Sequence, residues 1–409
     1  MQQAYDIAIV GGGLVGSSLA CALAPLGWRV VQVEALPPRA LEPAWDERNF
    51  ALSRRSVQAL DSLGVWAHAA AEAHPIRRVH MTSRGDFGAV RIRADDYGLD
   101  ALGHTVPARV LGAALETRLA ALPNLDRIAP ARVTQVVCGR GLSPDGAAQT
   151  DPEASGLRSL PQLRLDVGEG ERLIEARLLV AADGTDSFVR EALGIGADRH
   201  DYAQTAIVAT VMPERPHDGT AYERFTDTGP IALLPLAQDR AGLVWTVASD
   251  DAARVLALDD AAFLAEAGAR MATPLGRLRR VGRRQEWPLR QLVAQSLIAP
   301  RAVVVGNAAQ TLHPIGAQGF NLGLRDVLAL AEALVERGMD PGDDALLRDY
   351  AFARRDDRAV TAQASHALVR WFAPDRELLR LARGASLALL DRMPAAKREL
   401  AFAMMGYRE

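Results

Sequence analysis

Apolar and glycine positions at the start of the chain predict a strand, a helix and a second strand. Residues 8–10 form a short apolar run, typical of a buried parallel strand, and glycines occupy positions 11–13. The pattern from residue 14 to about residue 26 is helical, Gly27 ends it, and residues 29–34 predict the second strand. This segment is therefore predicted to form one βαβ unit.

The apolar pattern changes further along the chain. Residues 220–225, 231–236 and 243–247 predict strands separated by glycine-containing turns, which favours an antiparallel sheet. Residues 303–305 return to the parallel-strand type, and the pattern after Gly319 is almost entirely helical. Residues 139–160 are rich in Gly, Ser, Pro, Asp and Ala, which predicts a loop or hairpin excursion.

Composition indicates a soluble globular protein of two or three domains. The chain has 409 residues, 49% hydrophobic and 24% charged, and its net charge of −3 provides no basic field for nucleic acid. Cys21 and Cys138 have neither disulfide nor metal-site spacing, so we expect two buried thiols in a reducing cytoplasm. No segment reaches the roughly 18 uninterrupted apolar residues of a membrane span, and we expect at most peripheral membrane contact.

The glycines of the βαβ unit have the spacing of a dinucleotide-binding turn. Gly11 suits the tight turn, Gly13 lets the backbone approach a pyrophosphate, and Gly16 lets the helix pack on the strand. The helix N-terminus then directs free N–H groups and a positive dipole end towards the phosphates. Glu34 closes the second strand, where an acidic residue accepts hydrogen bonds from ribose hydroxyls. This motif predicts a dinucleotide but does not separate FAD from NAD.

Two later segments carry more specific patterns. Residues 178–190 (LLVAADGTDSFVR) contain Asp183 and Gly184 and resemble an element of flavoprotein aromatic hydroxylases, with alanine in place of its first glycine. Asp183 is also placed to cap a helix that begins near Ser187. Residues 305–326 (VGNAAQTLHPIGAQGFNLGLRD) resemble the second FAD fingerprint of the same group, with Asn307 where that group has the aspartate that binds the ribityl chain.

In this order, the three motifs resemble the para-hydroxybenzoate hydroxylase-like superfamily over nearly the whole chain. The resemblance is sharpest to the ubiquinone-biosynthesis hydroxylases, and most of all to the 2-octaprenyl-6-methoxyphenol hydroxylase type. A local departure is the order Gly-Ala at positions 316–317, where the family has Ala-Gly. The segments that carry the closer resemblance are residues 46–53 (DERNFALS), 220–226 (TAYERFT), 229–236 (GPIALLPL) and 306–314 (GNAAQTLHP).

The resemblance implies an α/β fold (α+β overall). A Rossmann-like FAD-binding domain would comprise residues 1–75, 104–195 and 290–335, with an inserted mixed β-sheet substrate domain of residues 76–103 and 196–289. Residues 336–409 would form a helical C-terminal region. The implied reaction uses FAD, NADPH or NADH, and O2 to hydroxylate a polyprenyl phenol of ubiquinone biosynthesis through a flavin C4a-hydroperoxide. The alternatives are a flavin reductase or dehydrogenase of lipid metabolism and a non-catalytic flavoprotein of a biosynthetic complex.

The resemblance also implies roles for two arginines, and strand alternation suggests a substrate wall. Arg48 matches an arginine that faces the FAD pyrophosphate, whereas Arg109 fits a flavin contact and a surface position equally well. Tyr222 lies on a strand whose alternate side chains share one face. Any one of Tyr222, Leu234 and Trp245 alone is more typical of a plain sheet core, but as a group on neighbouring predicted strands they are candidates for the wall of an aromatic pocket.

The segment from residue 314 to residue 321 is implied to contact the flavin. A loop that runs into a helix N-terminus supplies backbone N–H donors to the negatively charged pyrimidine edge of reduced flavin. The neighbouring His313 is expected to be a hydrogen-bonded structural residue rather than a base. The site residues assigned here are Pro314, Gly316, Gly319, Phe320 and Asn321.

A polyprenyl substrate implies that the protein is cytoplasmic and acts at the inner face of a membrane. A complex of ubiquinone-biosynthesis proteins is a further expected partner. A C-terminal amphipathic segment is the candidate surface, with its arginines near lipid phosphates. Leucines at helical spacing more often pack in a core, so we expect the last helices to dock onto the FAD domain. The candidates are Leu368, Trp371, Phe372, Leu378, Leu379, Leu381, Leu387 and Leu389, with Arg376, Arg380, Arg383 and Arg392.

Overall fold

The computed structural model describes residues 3–37, 48–84, 88–138, 160–168, 170–272, 274–337, 339–372 and 377–407. These residues form twenty strands in three sheets, together with ten α-helices. The excursion predicted at residues 139–160 lies, except for its last residue, outside the described residues.

The first sheet contains the predicted βαβ unit. Its central strands are parallel and buried on both faces, which explains their continuous apolar runs. Helix α1 (Leu14–Leu23) continues as a 3-10 turn that Gly27 ends, as predicted. From edge to edge the strands are β18 (Ile298–Ala299), β19 (Ala302–Val304), β11 (Glu171–Ala181), β1 (Gln3–Val10), β2 (Val30–Val33) and β8 (Leu125–Ile128), with β10 (Gln162–Asp166) paired onto β11 and β9 (Arg132–Val137) onto β10.

The second sheet is mixed and mainly antiparallel. Helices α5 (Ala252–Ala257) and α6 (Asp260–Met271) cover one of its faces and form a core with it. From edge to edge the strands are β20 (Gln310–Thr311), β17 (Gln285–Ala294), β12 (Ala197–Pro213), β15 (Ala241–Ala248), β14 (Gly229–Pro235), β13 (Thr220–Thr226), β5 (Arg78–Ser83) and β6 (Ala89–Arg93), with β16 (Leu278–Val281) also paired to β12.

A smaller, three-stranded sheet contributes side chains to the cores of both larger sheets. It contains β3 (Asn49–Ser53), β7 (Gly103–Pro107) and β4 (His74–Ile76). Ser53 caps helix α2 (Arg54–Ser62) by accepting the N–H of Ser56 at 3.2 Å. Helix α2 and helix α3 (Ala108–Ala120) contact β7 of this sheet, whereas α4 (Phe188–Ala192) contacts β9 of the first sheet.

The first two C-terminal helices pack on the core of the first sheet, as expected for the FAD domain, whereas the last two dock on the second sheet. Leu387 is buried in a cluster with Met81 of β5 and Val90 of β6, and Asp391 accepts the N–H of Arg91 at 3.0 Å. The helical spacing of leucines alone does not reveal which sheet they contact. The helices are α7 (Gln318–Arg337), α8 (Asp344–Phe372), α9 (Glu377–Arg392) and α10 (Pro394–Met404).

The predicted fold class is confirmed, although four predicted boundaries cut an element: those after residues 75, 103, 289 and 335 fall inside β4, β7, β17 and the helix Gln318–Arg337. The domain change placed at residue 290 falls inside β17, which continues in the second sheet to Ala294. Cys21 is buried and Cys138 is partly buried, and both are free thiols. In the part of the chain that the structure describes, no helix combines the length and apolar character needed to cross a membrane.

Candidate active site

The strand ends bring the three motifs together at one edge of the first sheet. Val10 of β1 pairs with Val33 of β2 and with Ala181 of β11. Ala181 pairs in turn with Val304 of β19. Because these strands are parallel, the three motif segments that follow them emerge side by side. The carboxyl edge of an open α/β sheet is where such folds bind their ligands.

The three glycines of the first motif have different surroundings. Gly11 has a φ of +113°, and a β-carbon there would collide with the backbone of Ala182. A β-carbon on Gly16 would collide with the carbonyl oxygen of Gly11, so this glycine permits close packing. On Gly13, the N-cap of α1, a β-carbon would meet no atom of the described chain within 4 Å. Gly13 therefore fits a pyrophosphate held by N–H groups of the first helical turn.

Glu34 leaves β2 beside this turn. One carboxylate oxygen accepts the N–H of Gly12 at 2.6 Å, and the other accepts the N–H of Leu36 at 2.8 Å. These bonds fix the carboxylate at the end of the strand, and each oxygen keeps a further lone pair. The arrangement fits the predicted contact with ribose hydroxyls.

Asp183 has the capping role that its sequence position allowed. Its carboxylate accepts the hydroxyl of Ser187 and, at 3.1 Å, the N–H of Val189 at the start of α4. Burial raises the pKa of Asp183, and these hydrogen bonds oppose the rise. Beside it, a β-carbon on Gly184 would meet no atom of the described chain within 4 Å. The open surface of the second motif therefore lies at Gly184.

A buried carboxylate fixes the third motif by hydrogen bonds, and sequence analysis did not single it out as functional. Asp326 of α7 accepts the N–H of Gly306 at 3.0 Å and the side-chain amide of Gln310 at 2.6 Å. The Nε of Arg354 on α8 donates to its other oxygen at 2.7 Å. Asn307 lies on the exposed side of this turn, where its amide is accessible to a ligand.

The segment of residues 314–321 has the geometry expected of an anion-binding helix start. Ile315–Ala317 form a 3-10 turn in which Gly316 has a φ of +65°, and α7 begins at Gln318. Gly319 therefore lies in the first turn of α7, where backbone N–H groups have no acceptor within the helix. Such donors fit the negatively charged edge of a reduced flavin.

Aromatic and cationic side chains surround the start of α7. The ring of Phe320 lies 5.6 Å from that of Phe50 on β3. The guanidinium of Arg48 lies 4.8 Å from the ring of Phe50 and 5.2 Å from that of Trp287 on β17. Arg48 thus links the small sheet to the second sheet beside the predicted flavin segment.

Two other predicted contact residues have partners within the protein. The side chain of Asn321 accepts the N–H of Ser53 at 2.9 Å and donates to the carbonyl of Ala51 at 3.0 Å. It ties α7 to β3, so a flavin contact from Asn321 would come from its backbone, as predicted. Arg109 forms an ion pair with Glu72, with Nη2 2.8 Å from Oε2.

The prediction that Tyr222, Leu234 and Trp245 form one wall is wrong. Trp245 is 1% exposed and packs on Phe263 of α6, with ring centroids 5.4 Å apart. Tyr222 packs on the same core, whereas Leu234 faces the opposite side of the sheet. Strand alternation shows which side chains share a face but not which face meets a ligand. Helices α5 and α6 cover the face that was chosen.

The opposite face of the second sheet is directed towards the 314–321 segment. Glu223 lies on this face, opposite Ala232, and its carboxylate accepts the N–H of Gly316. Together with Phe50, Phe320 and Trp287, this face provides an apolar and aromatic surface suited to a phenol ring. The available sequence signal was an acidic residue between two apolar residues, Ala221 and Phe225, at alternate positions of one strand. The partly exposed apolar members of the face are Val208, Ala232, Leu234 and Val244.

His313 has the structural surroundings expected of it. It is fully buried, its Nε2 lies 3.2 Å from Oε1 of Gln204, and its Nδ1 accepts the N–H of Ile315 at 3.3 Å. Burial lowers the pKa of His313 to about 4, which keeps the ring neutral at physiological pH. Among the described residues, no group of three or more His, Cys, Asp and Glu side chains could hold a metal ion.

Comparisons with known proteins agree with this geometry. A family model described as an FAD binding domain matches residues 4–365. The chain is 38% identical over 398 residues to a ubiquinone hydroxylase of Rhodospirillum rubrum, covering 96% of this chain and 87% of that protein. It is 32% identical over 406 residues to the 3-demethoxyubiquinol 3-hydroxylase of Escherichia coli, covering 97% of each.

The solved structure of p-nitrophenol 4-monooxygenase from Pseudomonas putida shares the fold. Its TM-score is 0.79 at 19% identity, and the match covers 100% of both chains. The family match spans most of this chain, and the hydroxylase relatives match nearly all of it. The chain belongs to the FAD-binding monooxygenases and, within them, to the family of ubiquinone-biosynthesis hydroxylases.

Proposed function

We propose that this protein hydroxylates the ring of a polyprenyl phenol in ubiquinone biosynthesis. The observation that carries the proposal is the convergence of the three motifs at one sheet edge, next to the aromatic face of the second sheet. Bound FAD, reduced by NADPH or NADH, supplies the chemistry that activates O2 and delivers one oxygen atom. The chain's own residues bind the cofactor, orient the ring and exclude water.

The cofactor-binding roles follow from the surroundings of each residue. Gly13 and the N-terminus of α1 hold the pyrophosphate, Glu34 accepts the ribose hydroxyls, and Asn307 contacts the ribityl chain. Arg48 adds a positive charge for the phosphates. The first-turn N–H groups around Gly319 receive the pyrimidine edge of the flavin.

We also assign the domains by the two large sheets. The segments around the first sheet form the FAD domain, and the second sheet with α5 and α6 forms the substrate domain. The substrate ring lies between the 314–321 segment and the face that carries Val208, Ala232 and Val244. A polyprenyl tail would extend from there towards a membrane surface or a lipid-presenting partner of the same biosynthetic complex.

Lipid analysis tests the proposed substrate. A strain that lacks this gene should accumulate a prenylated phenol with one hydroxyl fewer than the next intermediate, and restoring the gene should remove it. The mass of the accumulated lipid identifies the ring substrate. Normal ubiquinone and no accumulated precursor in the deletion strain would rule this function out.

Two glycine substitutions test the cofactor site. Gly13→Val places a branched side chain where no atom of the described chain lies within 4 Å, so the protein should fold and lose most of its FAD. Gly16→Val forces a collision with the backbone of Gly11, so it should reduce the yield of folded protein instead. Flavin absorbance per chain and circular dichroism separate the two effects. Full flavin content in a folded Gly13→Val protein would show that the phosphate site is placed wrongly.

A further inference from the structure

An acidic side chain lies on the face of the second sheet that is turned towards the 314–321 segment. Glu223 sits on β13 between two apolar neighbours on the same face. Ala221 belongs to the cluster that includes Leu387 of α9, and Phe225 packs with Ile315 and Val369. Glu223 is therefore at the junction of the sheet, the C-terminal helices and the predicted flavin segment.

The carboxylate of Glu223 makes one direct contact across this junction. It accepts the backbone N–H of Gly316, at the turn where φ is +65°. This turn precedes α7, so a bond that fixes the N–H of Gly316 also fixes the entry into the first helical turn. Ile315 and Phe225 bring the same two segments together through apolar contact.

Charged neighbours are turned away from Glu223. On β13 and β5, Arg224 and His80 lie on the opposite face, where Arg224 donates to the carbonyl of Met271 and His80 packs on Tyr222. Strand β14 (GPIALLP) carries no ionisable side chain. The other ionisable groups on adjoining elements include Arg78 on β5, the neutral His313 before the 314–321 segment, and His366 and Arg370 on α8 beside Val369. They also include Arg383, which is buried on α9 and donates to the carbonyl of Trp371.

We propose that Glu223 is a positioning residue that tethers the flavin segment to the substrate sheet through the N–H of Gly316. The inference rests on the proposed function, because the 314–321 segment is assigned to the flavin there. The tether would set the distance between the cofactor and the face of the sheet on which the ring lies. It would also orient the first-turn N–H groups at Gly319.

The tether is expected to respond to pH. Burial raises the pKa of Glu223 to about 7, and the hydrogen bond from Gly316 opposes the rise. An ionised carboxylate accepts an N–H more strongly than a neutral carboxyl does. The attachment of Gly316 should therefore tighten as the pH rises through about 7.

Two substitutions at this position separate the hydrogen bond from the charge. Glu223→Gln keeps an acceptor for Gly316 but cannot ionise, whereas Glu223→Met keeps a similar length and offers no comparable acceptor. Glu286→Gln, on the exposed part of β17, is the control for loss of an acidic residue elsewhere on the sheet. The full chain as purified is used in each case, and circular dichroism verifies its fold.

Hydrogen–deuterium exchange at the Gly316 amide is the main measurement. In Glu223→Met, exchange should be about ten-fold to a hundred-fold faster, the equivalent of a hydrogen bond to a charged group. Glu223→Gln should stay within a few-fold of the wild-type protein, and Glu286→Gln should match it. After correction for intrinsic exchange, wild-type protection should rise across pH 7, and that of Glu223→Gln should not.

Three results would overturn the inference. These are unchanged exchange in a folded Glu223→Met protein, equal loss of protection in the Gln and Met variants, or wild-type protection that is flat in pH. Because the exchange experiment needs only the folded chain, its result can be interpreted even if the protein holds no FAD. Failure to bind FAD would reject the proposed function, whereas failure of the tether would leave that function standing.

Discussion

Glu223 should leave a signature in the pH dependence of stability. In the unfolded chain this carboxyl loses its proton near pH 4.5, but in the folded protein it keeps the proton up to about pH 7. The proton is therefore bound more tightly by the folded state. The stability that the neutral carboxyl provides is fully present below pH 4.5 and is lost as the pH rises to about 7.

Glu223→Gln should remove this loss, because glutamine has no proton to give up. Relative to the wild-type protein, the variant should gain up to about 3 kcal/mol in the free energy of unfolding between pH 5 and pH 8. Urea unfolding at several pH values measures the difference, with Glu286→Gln as the control. Parallel stability curves for the wild-type protein and Glu223→Gln would show that this carboxyl ionises normally.

At the scale of single residues, the sequence predicts the roles of the motif glycines better than it predicts which face of a strand meets a ligand. The roles assigned to Gly11, Gly13 and Gly16 agree with their surroundings, because each follows from local backbone sterics. Tyr222 and Trp245 were assigned to the ligand face, but that face is covered by α5 and α6. The choice between two strand faces depends on helices that are distant in sequence, which strand periodicity does not contain.

Among the elements, α7 and α8 hold the third motif in place through buried charges. Asp326 is fully buried and Arg354 is 4% exposed. Arg354 also donates to Asp357 at 2.7 Å, and Arg325 donates to the same carboxylate at 2.8 Å. Since Asp326 accepts the N–H of Gly306, loss of the network would release the turn that presents Asn307.

Arg354→Met should destabilise the protein and weaken its hold on FAD. It leaves the Asp326 carboxylate without its buried cation, a change that costs about 3–5 kcal/mol. Chemical unfolding measures the cost, and FAD titration measures the affinity. Arg355→Met is the matched control, because Arg355 pairs with Asp356 at the surface. Equal stability of the two variants would contradict a supporting role for the buried network.

The start of α7 offers a test of its backbone donors. Gly319→Pro removes one N–H in the first helical turn, where proline is tolerated, and Gly319→Ala keeps that N–H in a position with room for a β-carbon. We expect the proline variant to have a lower flavin reduction potential and slower reduction by NADPH, because the anionic edge loses a donor. Potentiometry and stopped-flow absorbance measure both. Identical potentials for the folded proline and alanine variants would remove this amide from the site.

Over the whole molecule, the order of the motifs along the chain predicted the fold class. It did not predict where the last two helices, α9 and α10, dock. The three motifs meet because parallel strands align their carboxyl ends, a general property of the fold. The C-terminal helices instead follow particular contacts, such as that of Leu387 with the cluster on β5 and β6. Leucine spacing predicted burial, which holds for Leu387 but not for Leu368, Leu381 or Leu389, and it could not identify the partner surface.

This docking changes how membrane contact should be tested. Deletion of everything after Ala373 would remove α9 and α10 from the second sheet and expose the buried cluster around Met81 and Val90. Vesicle binding by such a truncated protein would then report unfolding as much as anchoring. Point substitutions on the outer side of α9 avoid this problem.

Helix α9 presents an apolar stripe that the core does not use. Leu381 is 55% exposed and Leu389 is 60% exposed, and Met393, directly after the helix, is 45% exposed. Arg376 lies outside the described residues, and the side chains of Phe372, Leu378, Leu379 and Arg380 are likewise outside the described part of the structure. We expect the stripe to enter the headgroup layer of an anionic membrane with Arg392 beside it.

The double substitution Leu381→Glu with Leu389→Glu should abolish most vesicle binding without loss of FAD. Burial of each leucine contributes about 1.5–3 kcal/mol, so affinity should fall at least about a hundred-fold. Flotation with anionic liposomes measures binding, and Val335→Glu, at an exposed site on α7, controls for added charge. Undiminished binding by the double variant would exclude this stripe as the anchor. If the wild-type protein does not float at all, the lipid must reach the active site from a partner protein, because a polyprenyl chain does not cross water unaided.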